Sequence, residues 1–284
     1  METLYKLSGA GNDFIVLDGR SGGVDEYRKE GIIKTLCDRN TGFKAADGRI
    51  GADGVMILSS SDDGAWDFVM EYFNSDGSSG MMCGNGGRCI VAFADFMGIV
   101  PANGKFYEFL AADGPHTGEI LGRDGHSCTV KLKMKDVSEY RRCTDGWFLD
   151  TGTRHFVKFV EDVEAVDIAT EGPRYRWSEE FAPIGANVNF VQVLPDGSLK
   201  VRTFEIGVED ETLACGTGIT ASALAAQLEA WHKDAGTYTP ASSGTTAKSI
   251  HTAVHARIDE LAVDFTPSGS IFTDVFLTGP AALI

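Results

Sequence analysis

The stretch Met82-Cys-Gly-Asn-Gly-Gly-Arg88 decides the fold, because a near copy of it, Ala214-Cys-Gly-Thr-Gly-Ile219, occurs in the second half of the chain. Each copy places one cysteine directly before an apolar run typical of a helix. A thiol at a helix start lies beside unpaired backbone N–H groups and the positive end of the helix dipole, which can lower a cysteine pKa from about 8.5 to about 3.5–7.5. We therefore predict two activated thiols, one from each half of the chain, that face a single small molecule from opposite sides.

Two further segments recur in the same order as the cysteine motifs. Gly11-Asn-Asp-Phe-Ile-Val16 resembles Thr153-Arg-His-Phe-Val157, with an offset of 142 between Asp13 and His155. Gly51-Ala-Asp53 resembles Gly185-Ala-Asn187 with an offset of 134, and the two cysteines are 132 residues apart. Loop insertions and deletions in a duplicated domain explain such a small drift. A repeat of this length predicts two pseudo-equivalent lobes with a cleft between them.

The helical runs that follow the cysteines, residues 87–98 and 218–232, are apolar on almost every side. Such a helix must be surrounded by protein. The rest of the chain reads mostly as short strands separated by turns, with a weaker helical region at 26–40. The predicted fold class is therefore α/β (α+β), with two pseudosymmetric lobes, each a curved, mainly antiparallel sheet wrapped around a central helix.

The lobe boundaries follow from the same repeat. Residues 1–126 are predicted to form the N-terminal lobe, which carries Cys83 and is completed by a C-terminal strand from about 272–284. Residues 127–271 are predicted to form the C-terminal lobe, which carries Cys215.

Composition restricts the class of partner. The chain has 284 residues, 43% hydrophobic and 23% charged, which is ordinary for a globular protein. Its net charge of −16 argues against nucleic acid or an acidic membrane as a partner, since phosphate neutralisation needs clustered Lys and Arg. There is no signal-like N-terminal segment and no apolar run near the roughly 20 residues of a membrane span. We expect a cytoplasmic protein with a small-molecule substrate. The sequence does not determine the oligomeric state, and both a monomer and a homodimer agree with it.

Six cysteines lie without the regular spacing of a disulfide framework, at positions 37, 83, 89, 128, 143 and 215. In a reducing compartment they are expected to be thiols. Cys89 lies on the same predicted helix as Cys83 but about 240° around it. The four cysteines other than Cys83 and Cys215 are predicted to have no chemical role.

The motifs together resemble the diaminopimelate epimerase family, and the resemblance covers essentially the whole chain. The segments that carry it are Gly9–Phe14, Ile50–Gly54, Phe73–Gly77, Met82–Cys89, Gly185–Asn187, Glu209–Gly218 and Thr278–Pro280. The resemblance implies two pseudosymmetric α/β lobes and the cofactor-independent interconversion of LL- and meso-diaminopimelate, with neither metal nor cofactor.

Inverting an α-carbon without a cofactor requires that one group removes a proton from one face and another delivers a proton to the opposite face. Cys83 and Cys215 are predicted to be this pair, one as general base and the other as general acid, in roles that exchange with the direction of the reaction. By resemblance, His155 and Glu205 lie next to the thiols and help to set their protonation.

The developing carbanion and the α-carboxylate need hydrogen-bond donors. The backbone N–H groups at the two helix starts suit this role, and they belong to Gly84, Asn85, Gly86, Gly216 and Thr217. By resemblance, Asn12 contacts the substrate near the reacting centre, and Asn74 and Asn187 contact its distal amino-acid group. For Asn74, next to a turn sequence, turn chemistry is the alternative.

Two departures from the family pattern concern the distal end of the substrate. The family usually has an arginine after the glutamate, where it holds the distal carboxylate, but this chain has Ile206. The loop before the histidine usually reads Gly-Asn-Pro-His or Gly-Ser-Pro-His, whereas here it reads Gly152-Thr-Arg-His155. We predict that Arg154 replaces the missing arginine. A related amino-acid racemase with another distal-group specificity is the alternative.

Other readings come from different classes of protein. Gly216-Thr-Gly-Ile-Thr-Ala221 formally fits the dinucleotide fingerprint, although no long hydrophobic strand leads into it. Cys83, Cys215, His155 and Glu205 are acceptable zinc ligands and could together form a zinc site. The two cysteines could also form the reversible disulfide of a thiol redox sensor.

Overall fold

The computed structural model of the chain describes residues 2–235 and 248–284. Met1 of the predicted N-terminal lobe and residues 236–247 of the predicted C-terminal lobe therefore lie outside the described residues. The chain divides into two compact units, one formed by Met1–Leu132 with Gly279–Ile284 and the other by Lys133–Thr278. Within the described ranges, no helix combines the length and the apolar character that a membrane crossing needs.

The described residues form mainly sheet, with four α-helices and two short 3₁₀ helices at Asp25–Arg28 and Glu179–Phe181 among them. The α-helices are α1 (Glu30–Cys37), α2 (Gly84–Phe96), α3 (Ile168–Arg176) and α4 (Gly216–Ala235). The strands of the first half are β1 (Tyr5–Gly9), β2 (Asn12–Asp18), β3 (Gly54–Ser59), β4 (Phe68–Asn74), β5 (Tyr107–Ala111), β6 (Gly114–Asp124) and β7 (Ser127–Lys133). The strands of the second half are β8 (Tyr140–Cys143), β9 (Gly146–Asp150), β10 (Arg154–Phe159), β11 (Asn187–Val193), β12 (Leu199–Glu205), β13 (Asp210–Thr212), β14 (Ile250–His255), β15 (Glu260–Ser268) and β16 (Ile271–Leu283).

The first unit is a closed eight-stranded barrel around α2. Strands β1 to β7 are hydrogen-bonded in chain order, and the C-terminal end of β16 pairs with both β7 and β1. Among the described strands of this unit, only the β2–β3 and β4–β5 pairs are parallel. Helix α2 packs against β1, β2, β3 and β6, and residues 84–94 are all buried. The helix is apolar on almost every side because the barrel surrounds it.

The second unit repeats this strand order. Strands β9, β10, β11, β12, β14, β15 and β16 are neighbours in that order, with β8 added beyond β9 and β13 paired to β12. The parallel pairs β10–β11 and β12–β14 correspond to β2–β3 and β4–β5. Helix α4 packs against the strands of this sheet, and residues 218–225 are all buried. The predicted fold class, a curved and mainly antiparallel sheet around a central helix in two related copies, is therefore confirmed.

The predicted match of Asp13 with His155 was wrong by one residue. Asp13 shares a face of β2 with Ile15, which packs in the core cluster that contains Ile33 of α1. His155 lies on the opposite face of its own sheet, the face covered by α4, because Phe156 packs on the α3 side. Successive strand residues point to opposite faces, so a shift of one residue exchanges the two sides. The counterpart of His155 is Phe14.

The helical region predicted at 26–40 is divided in the structure. The 3₁₀ helix and α1 are separated at Lys29, whose backbone is extended. Helix α1 ends because the backbone of Asp38 leaves the helical conformation, with ψ at 123°, and its carboxylate accepts the N–H groups of Asn40 and Thr41. Helix α3 was not predicted, since Gly172 and Pro173 within it are signals against a helix.

Candidate active site

Cys83 lies at the N-terminus of α2 and forms the cap of the helix. Its backbone is extended, its side chain is exposed, and its Sγ accepts a hydrogen bond of 3.3 Å from the N–H of Gly86. The following residues Gly84 and Asn85 are buried. The sulfur thus takes the position in which a helix start stabilises negative charge.

Behind Cys83, a chain of side-chain amides runs from a buried cation to a carboxylate. Arg88, fully buried, donates to Asn85 Oδ1 at 2.8 Å. Asn85 Nδ2 donates to Asn12 Oδ1 at 2.6 Å, and Asn12 Nδ2 donates to Asp53 Oδ2 at 2.9 Å. Arginine only donates and an ionised carboxylate only accepts, so the two ends determine which way both amides point. We call Cys83, Asn85, Asn12 and Asp53 the Cys83 cluster.

The carboxylate end of this chain rests on an ion-pair network in which Lys6 and Asp13 are buried and Arg39 is half-exposed. Arg39 bridges Asp53 and Asp13, and Lys6 Nζ contacts Asp13 Oδ2 at 2.7 Å and donates to the carbonyl of Gly51 at 2.6 Å. Burial alone would raise the pKa of Asp13, but the hydrogen bonds from Arg39 and Lys6 outweigh it and hold that pKa below its usual range. The network therefore stays charged and keeps Asp53 in place beneath Asn12.

Asn74 is the last residue of β4, and its side chain forms a hydrogen bond within the turn that follows the strand. Its Nδ2 donates to Ser78 Oγ at 3.0 Å, and its backbone N–H donates to the carbonyl of Ser78 at 2.9 Å. These bonds shape the 74–78 turn and do not connect Asn74 to the amide chain of the Cys83 cluster.

Cys215 directly precedes α4 and is buried, with 7% of its surface exposed. Its Sγ lies 3.4 Å from the Oγ1 of Thr217. Thr217 Oγ1 lies 2.9 Å from His155 Nε2 and 3.0 Å from Thr153 Oγ1, which is itself 2.9 Å from the same ring nitrogen. Two hydroxyls and one imidazole nitrogen thus form a compact triangle beside the sulfur.

His155 is fully buried within the second unit. Burial lowers its pKa to about 3, because the charged ring would lose its hydration. Its Nδ1 lies 3.0 Å from the Nδ2 of Asn189, which is also completely buried. We call Cys215, Thr217, Thr153, His155 and Asn189 the Cys215 cluster.

Sequence reasoning missed Asn189 and Thr153 as members of this cluster. Asn189 lies two residues after Asn187 on β11, and the period of two places both side chains on one face. This spacing is the signal that could have indicated it. Thr153 could have been found from its place in the loop that ends at His155.

Glu205 and Asn187 are at the ends of neighbouring strands. Burial raises the pKa of Glu205, which ends β12. The buried Asn187 donates from Nδ2 to the carbonyl of Arg154 at 3.1 Å and accepts from the N–H of Ile206 at 2.7 Å. One amide therefore joins the two positions at which this chain departs from the family pattern.

The side chain of Arg154 does not lie with His155. Adjacent residues of β10 point to opposite faces, and the guanidinium of Arg154 donates to the carbonyl of Phe181 at 3.3 Å. It also lies over the ring of Phe148 at 5.3 Å. Its assignment as the partner of a distal carboxylate stays a prediction.

The alternative readings can be compared with the geometry. Across residues 2–235 and 248–284, no group of three or more His, Cys, Asp and Glu side chains is placed to hold a metal ion. The segment Gly216–Ala221 opens a helix, as a dinucleotide fingerprint would, but the strand before it, β13, has three residues and pairs antiparallel to β12. A dinucleotide fingerprint instead follows a strand of a parallel βαβ unit.

Solved structures with this fold include several epimerases and isomerases. A hydroxyproline epimerase from Agrobacterium vitis superposes with a TM-score of 0.60 at 15% identity, over 99% of this chain and 88% of that one. A phenazine biosynthesis protein of the PhzF family from Bacillus anthracis gives a TM-score of 0.67 at 11% identity, over 99% and 96% of the two chains. These similarities define the class: a duplicated fold in which a sheet surrounds a central helix.

Sequence relatives define the family within this class. The family model described as diaminopimelate epimerase matches residues 4–131 and 147–264. The diaminopimelate epimerase of Flavobacterium psychrophilum is 38% identical over 281 residues, which cover 99% of this chain and 97% of that protein. The enzyme of the same name from Chlorobaculum tepidum is 43% identical over 226 residues, covering 77% of this chain and 80% of the relative. The chain belongs to the diaminopimelate epimerase family and is an isomerase.

Proposed function

We propose that this protein interconverts LL- and meso-diaminopimelate without a cofactor, with Cys83 and Cys215 as the two bases. One thiolate takes the proton from the α-carbon, and the thiol of the other cysteine delivers a proton to the opposite face. The substrate keeps its atoms and charge, and the two cysteines exchange protonation states. The reverse reaction uses them in the opposite roles.

One observation carries this proposal. Both cysteines occupy the same place in two units of the same strand order, directly before a helix that the sheet encloses. The N–H of Gly86 donates to Cys83 Sγ, and the hydroxyl of Thr217 lies within reach of Cys215 Sγ. Hydrogen-bond donors beside a sulfur are what a thiolate base requires.

The backbone N–H groups at the helix starts are the proposed donors to the substrate α-carboxylate. They belong to Gly84 and Asn85 in one unit, where the N–H of Gly86 is already donated to Cys83 Sγ, and to Gly216 and Thr217 in the other. Donors that are already oriented stabilise developing negative charge without reorganisation. Asn12 is the proposed contact near the reacting centre, since the amide chain behind it fixes its orientation.

His155 and Glu205 are the proposed groups that set thiol protonation. The Cys215 cluster links His155 to the sulfur through Thr217. The raised pKa of Glu205, a consequence of burial, brings its carboxyl closer to the range in which it can exchange protons.

A second candidate differs at the distal end of the substrate. Ile206 cannot pair with a carboxylate, and an unpaired carboxylate in a closed site would cost several kcal/mol. The guanidinium of Arg154 is engaged by Phe181 and Phe148. These two observations favour, as the alternative, a racemase for an amino acid without a distal carboxylate.

Proton exchange at the α-carbon tests both candidates. Reduced protein in D₂O is incubated with diaminopimelate and with a panel of other amino acids, and loss of the α-proton signal is followed by NMR. We expect exchange and epimerisation of diaminopimelate by the wild type. Cys83→Ala and Cys215→Ala should each reduce net epimerisation by at least about 10²-fold, because each lacks the acid or base for one face.

The control is Cys128→Ala, which removes a thiol outside both clusters. Near wild-type turnover of diaminopimelate by either active-site variant would refute the two-base mechanism. Racemisation of another amino acid, with no turnover of diaminopimelate, would establish the alternative substrate. Arg154→Ala adds a test of the distal contact: a raised KM for diaminopimelate supports it, and unchanged kinetics exclude it.

A further inference from the structure

The amide of Asn189 can point in only one direction. Its Nδ2 lies 3.2 Å from the carbonyl oxygen of Phe156, which can only accept, and its Oδ1 accepts from Thr203 Oγ1 at 3.0 Å. A flipped amide would bring two oxygens together in a site that is completely buried. Such a contact leaves both groups unsatisfied and is strongly disfavoured.

Helix α4 closes this arrangement from the other side. A Cβ added to Gly218 would lie 2.4 Å from Asn189 Oδ1 and 3.3 Å from His155 Cε1. Only glycine allows the helix backbone to approach so closely. The amide and the imidazole are therefore confined between the sheet and the start of α4.

The orientation of Asn189 decides the state of the ring beside it. One hydrogen of its Nδ2 is used by Phe156, and the other is directed at His155 Nδ1 at 3.0 Å. A nitrogen that faces a donor must accept, so Nδ1 carries no hydrogen. The remaining proton of a neutral ring is then on Nε2.

We propose that Asn189 is a positioning residue that holds His155 in the neutral form protonated on Nε2, so that the ring donates its one hydrogen to a threonine hydroxyl of the Cys215 cluster. His155 then acts as a hydrogen-bond donor and is not the acceptor of the thiol proton. This inference rests on the proposed function only for its effect on turnover.

The proton on Nε2 determines the direction of the hydrogen bonds among His155, Thr217 and Thr153. When the ring donates to Thr217 or Thr153, neither hydroxyl has to give its hydrogen to the ring. The Thr217 hydroxyl is then free to donate to Cys215 Sγ, 3.4 Å away. This hydrogen bond is charge-assisted when the sulfur is a thiolate, so it stabilises the thiolate. Asn189 acts on it indirectly, by fixing the proton of His155 on Nε2.

The surroundings keep the ring neutral as well as oriented. Burial holds the pKa of His155 at about 3, and the carboxylate of Asp150 acts in the opposite direction without overcoming it. A ring with so low a pKa is a weak acceptor for the proton of a thiol, whose ordinary pKa is about 8.5.

Nitrogen NMR tests the tautomer directly. Protein labelled with ¹⁵N in its six histidines is recorded with long-range ¹H–¹⁵N correlation, and His155 is assigned by the signals lost in His155→Gln. We expect one protonated nitrogen at Nε2 and one bare nitrogen at Nδ1, unchanged between pH 5 and 8. A proton on Nδ1, or a ring that titrates in this range, would overturn the proposal.

Two variants connect the tautomer to catalysis. In Asn189→Asp, a carboxylate that can only accept faces Nδ1 and should move the proton to that nitrogen, with a fall in kcat of roughly 10²-fold and a small change in KM. In Thr203→Val, the donor to Oδ1 is lost, but the Phe156 carbonyl still orients the amide. The proton should therefore stay on Nε2, and kcat should stay within about threefold of the wild-type value.

The outcomes separate this inference from the proposed function. If the spectrum shows the proton on Nε2 but the protein does not turn over diaminopimelate, the tautomer assignment stands and the proposed substrate is wrong. An Nδ1–H ring in an active epimerase refutes the role of Asn189. If Asn189→Asp fails to fold, the wild-type spectrum still decides.

Discussion

The hydroxyl of Thr153 lies 3.0 Å from the hydroxyl of Thr217. In the first unit, the side chains of Asn12 and Asn85 form the same contact at 2.6 Å. In each unit, one partner follows a glycine at the entry to a strand, and the other is the second residue of the enclosed helix, two residues after the cysteine. The duplication has thus preserved a polar contact between strand entry and helix start while its chemistry has changed from amides to hydroxyls.

Replacing Thr217 by valine should lower turnover with little loss of stability. The substitution keeps the shape but removes the hydroxyl that joins His155 and Cys215. Loss of a hydrogen bond to a charged group costs about 1.5–3 kcal/mol, so kcat should fall roughly 10- to 100-fold. The matched control is Thr220→Val on the same helix, whose buried hydroxyl donates to the carbonyl of Gly216 and lies outside the Cys215 cluster. Equal effects of the two variants would argue against a link to the thiol.

Asp53→Asn should disturb substrate contact at Asn12. An amide at position 53 can donate as well as accept, so it no longer determines the direction of the amides of Asn12 and Asn85. We expect kcat/KM to fall about tenfold, as for one lost oriented hydrogen bond. Asp47→Asn, which changes an exposed carboxylate paired with Arg49, is the control. If kcat/KM is unaffected, the amide chain does not act on the substrate.

Lys6→Met should strongly destabilise the first unit. The ammonium is buried against Asp13, and its removal leaves a buried carboxylate with one of its two cationic partners. Breaking a buried pair costs about 3–5 kcal/mol, whereas a fully exposed pair contributes little because water and salt screen it. Lys34→Met removes the exposed partner of Glu30 and is the control. Urea denaturation measures the free energy of unfolding of both variants. Similar losses in the two would contradict the expected difference between the buried and the exposed pair.

The stability of the wild type should decrease with acid partly through His155. Above the unfolded pKa of 6.5 the ring is neutral in both states and contributes no pH dependence. Below it the unfolded chain binds a proton that the folded chain, with a pKa of about 3, does not bind, so stability falls as the pH is lowered from 6.5 towards 3.

Urea denaturation of the wild type and of His155→Gln at pH 7 and pH 5 measures this contribution. The wild type should lose about 2 kcal/mol more than the variant between these two pH values. The carboxylates titrate in both proteins and cancel in the comparison. Parallel losses would show that the ring is protonated in the folded state.

Ile206→Arg should improve the use of diaminopimelate. The backbone of Ile206 is already held by Asn187, so an arginine side chain would start from an ordered position at the end of β12. A charged pair to a carboxylate contributes about 1.5–3 kcal/mol, which corresponds to a KM lowered roughly 10-fold or more. Ile206→Gln is the uncharged control. No change in KM would place the distal carboxylate elsewhere.

Much of the fold could be predicted from the sequence because it depends on local patterns. The two cysteine motifs and the all-round apolar runs after them indicated the enclosed helices and their duplication. The runs rich in Val, Ile and Phe indicated strands such as β3 and β11. Helix α3 could not be predicted, because Gly172 packs against Phe204 and this tertiary contact outweighs its low helix propensity.

The candidate site divides in the same way. The sequence by itself determined which residue types lie at the helix starts, since a cysteine followed by Gly-x-Gly gives a thiol beside free N–H groups in any fold that keeps the helix. Only the tertiary structure decided the partners of Asn12, the burial of His155 and the direction in which Arg154 points. These depend on which strand face is covered and on contacts between residues as distant as Asn12 and Asn85 or His155 and Thr217, and a one-residue shift along a strand reverses them.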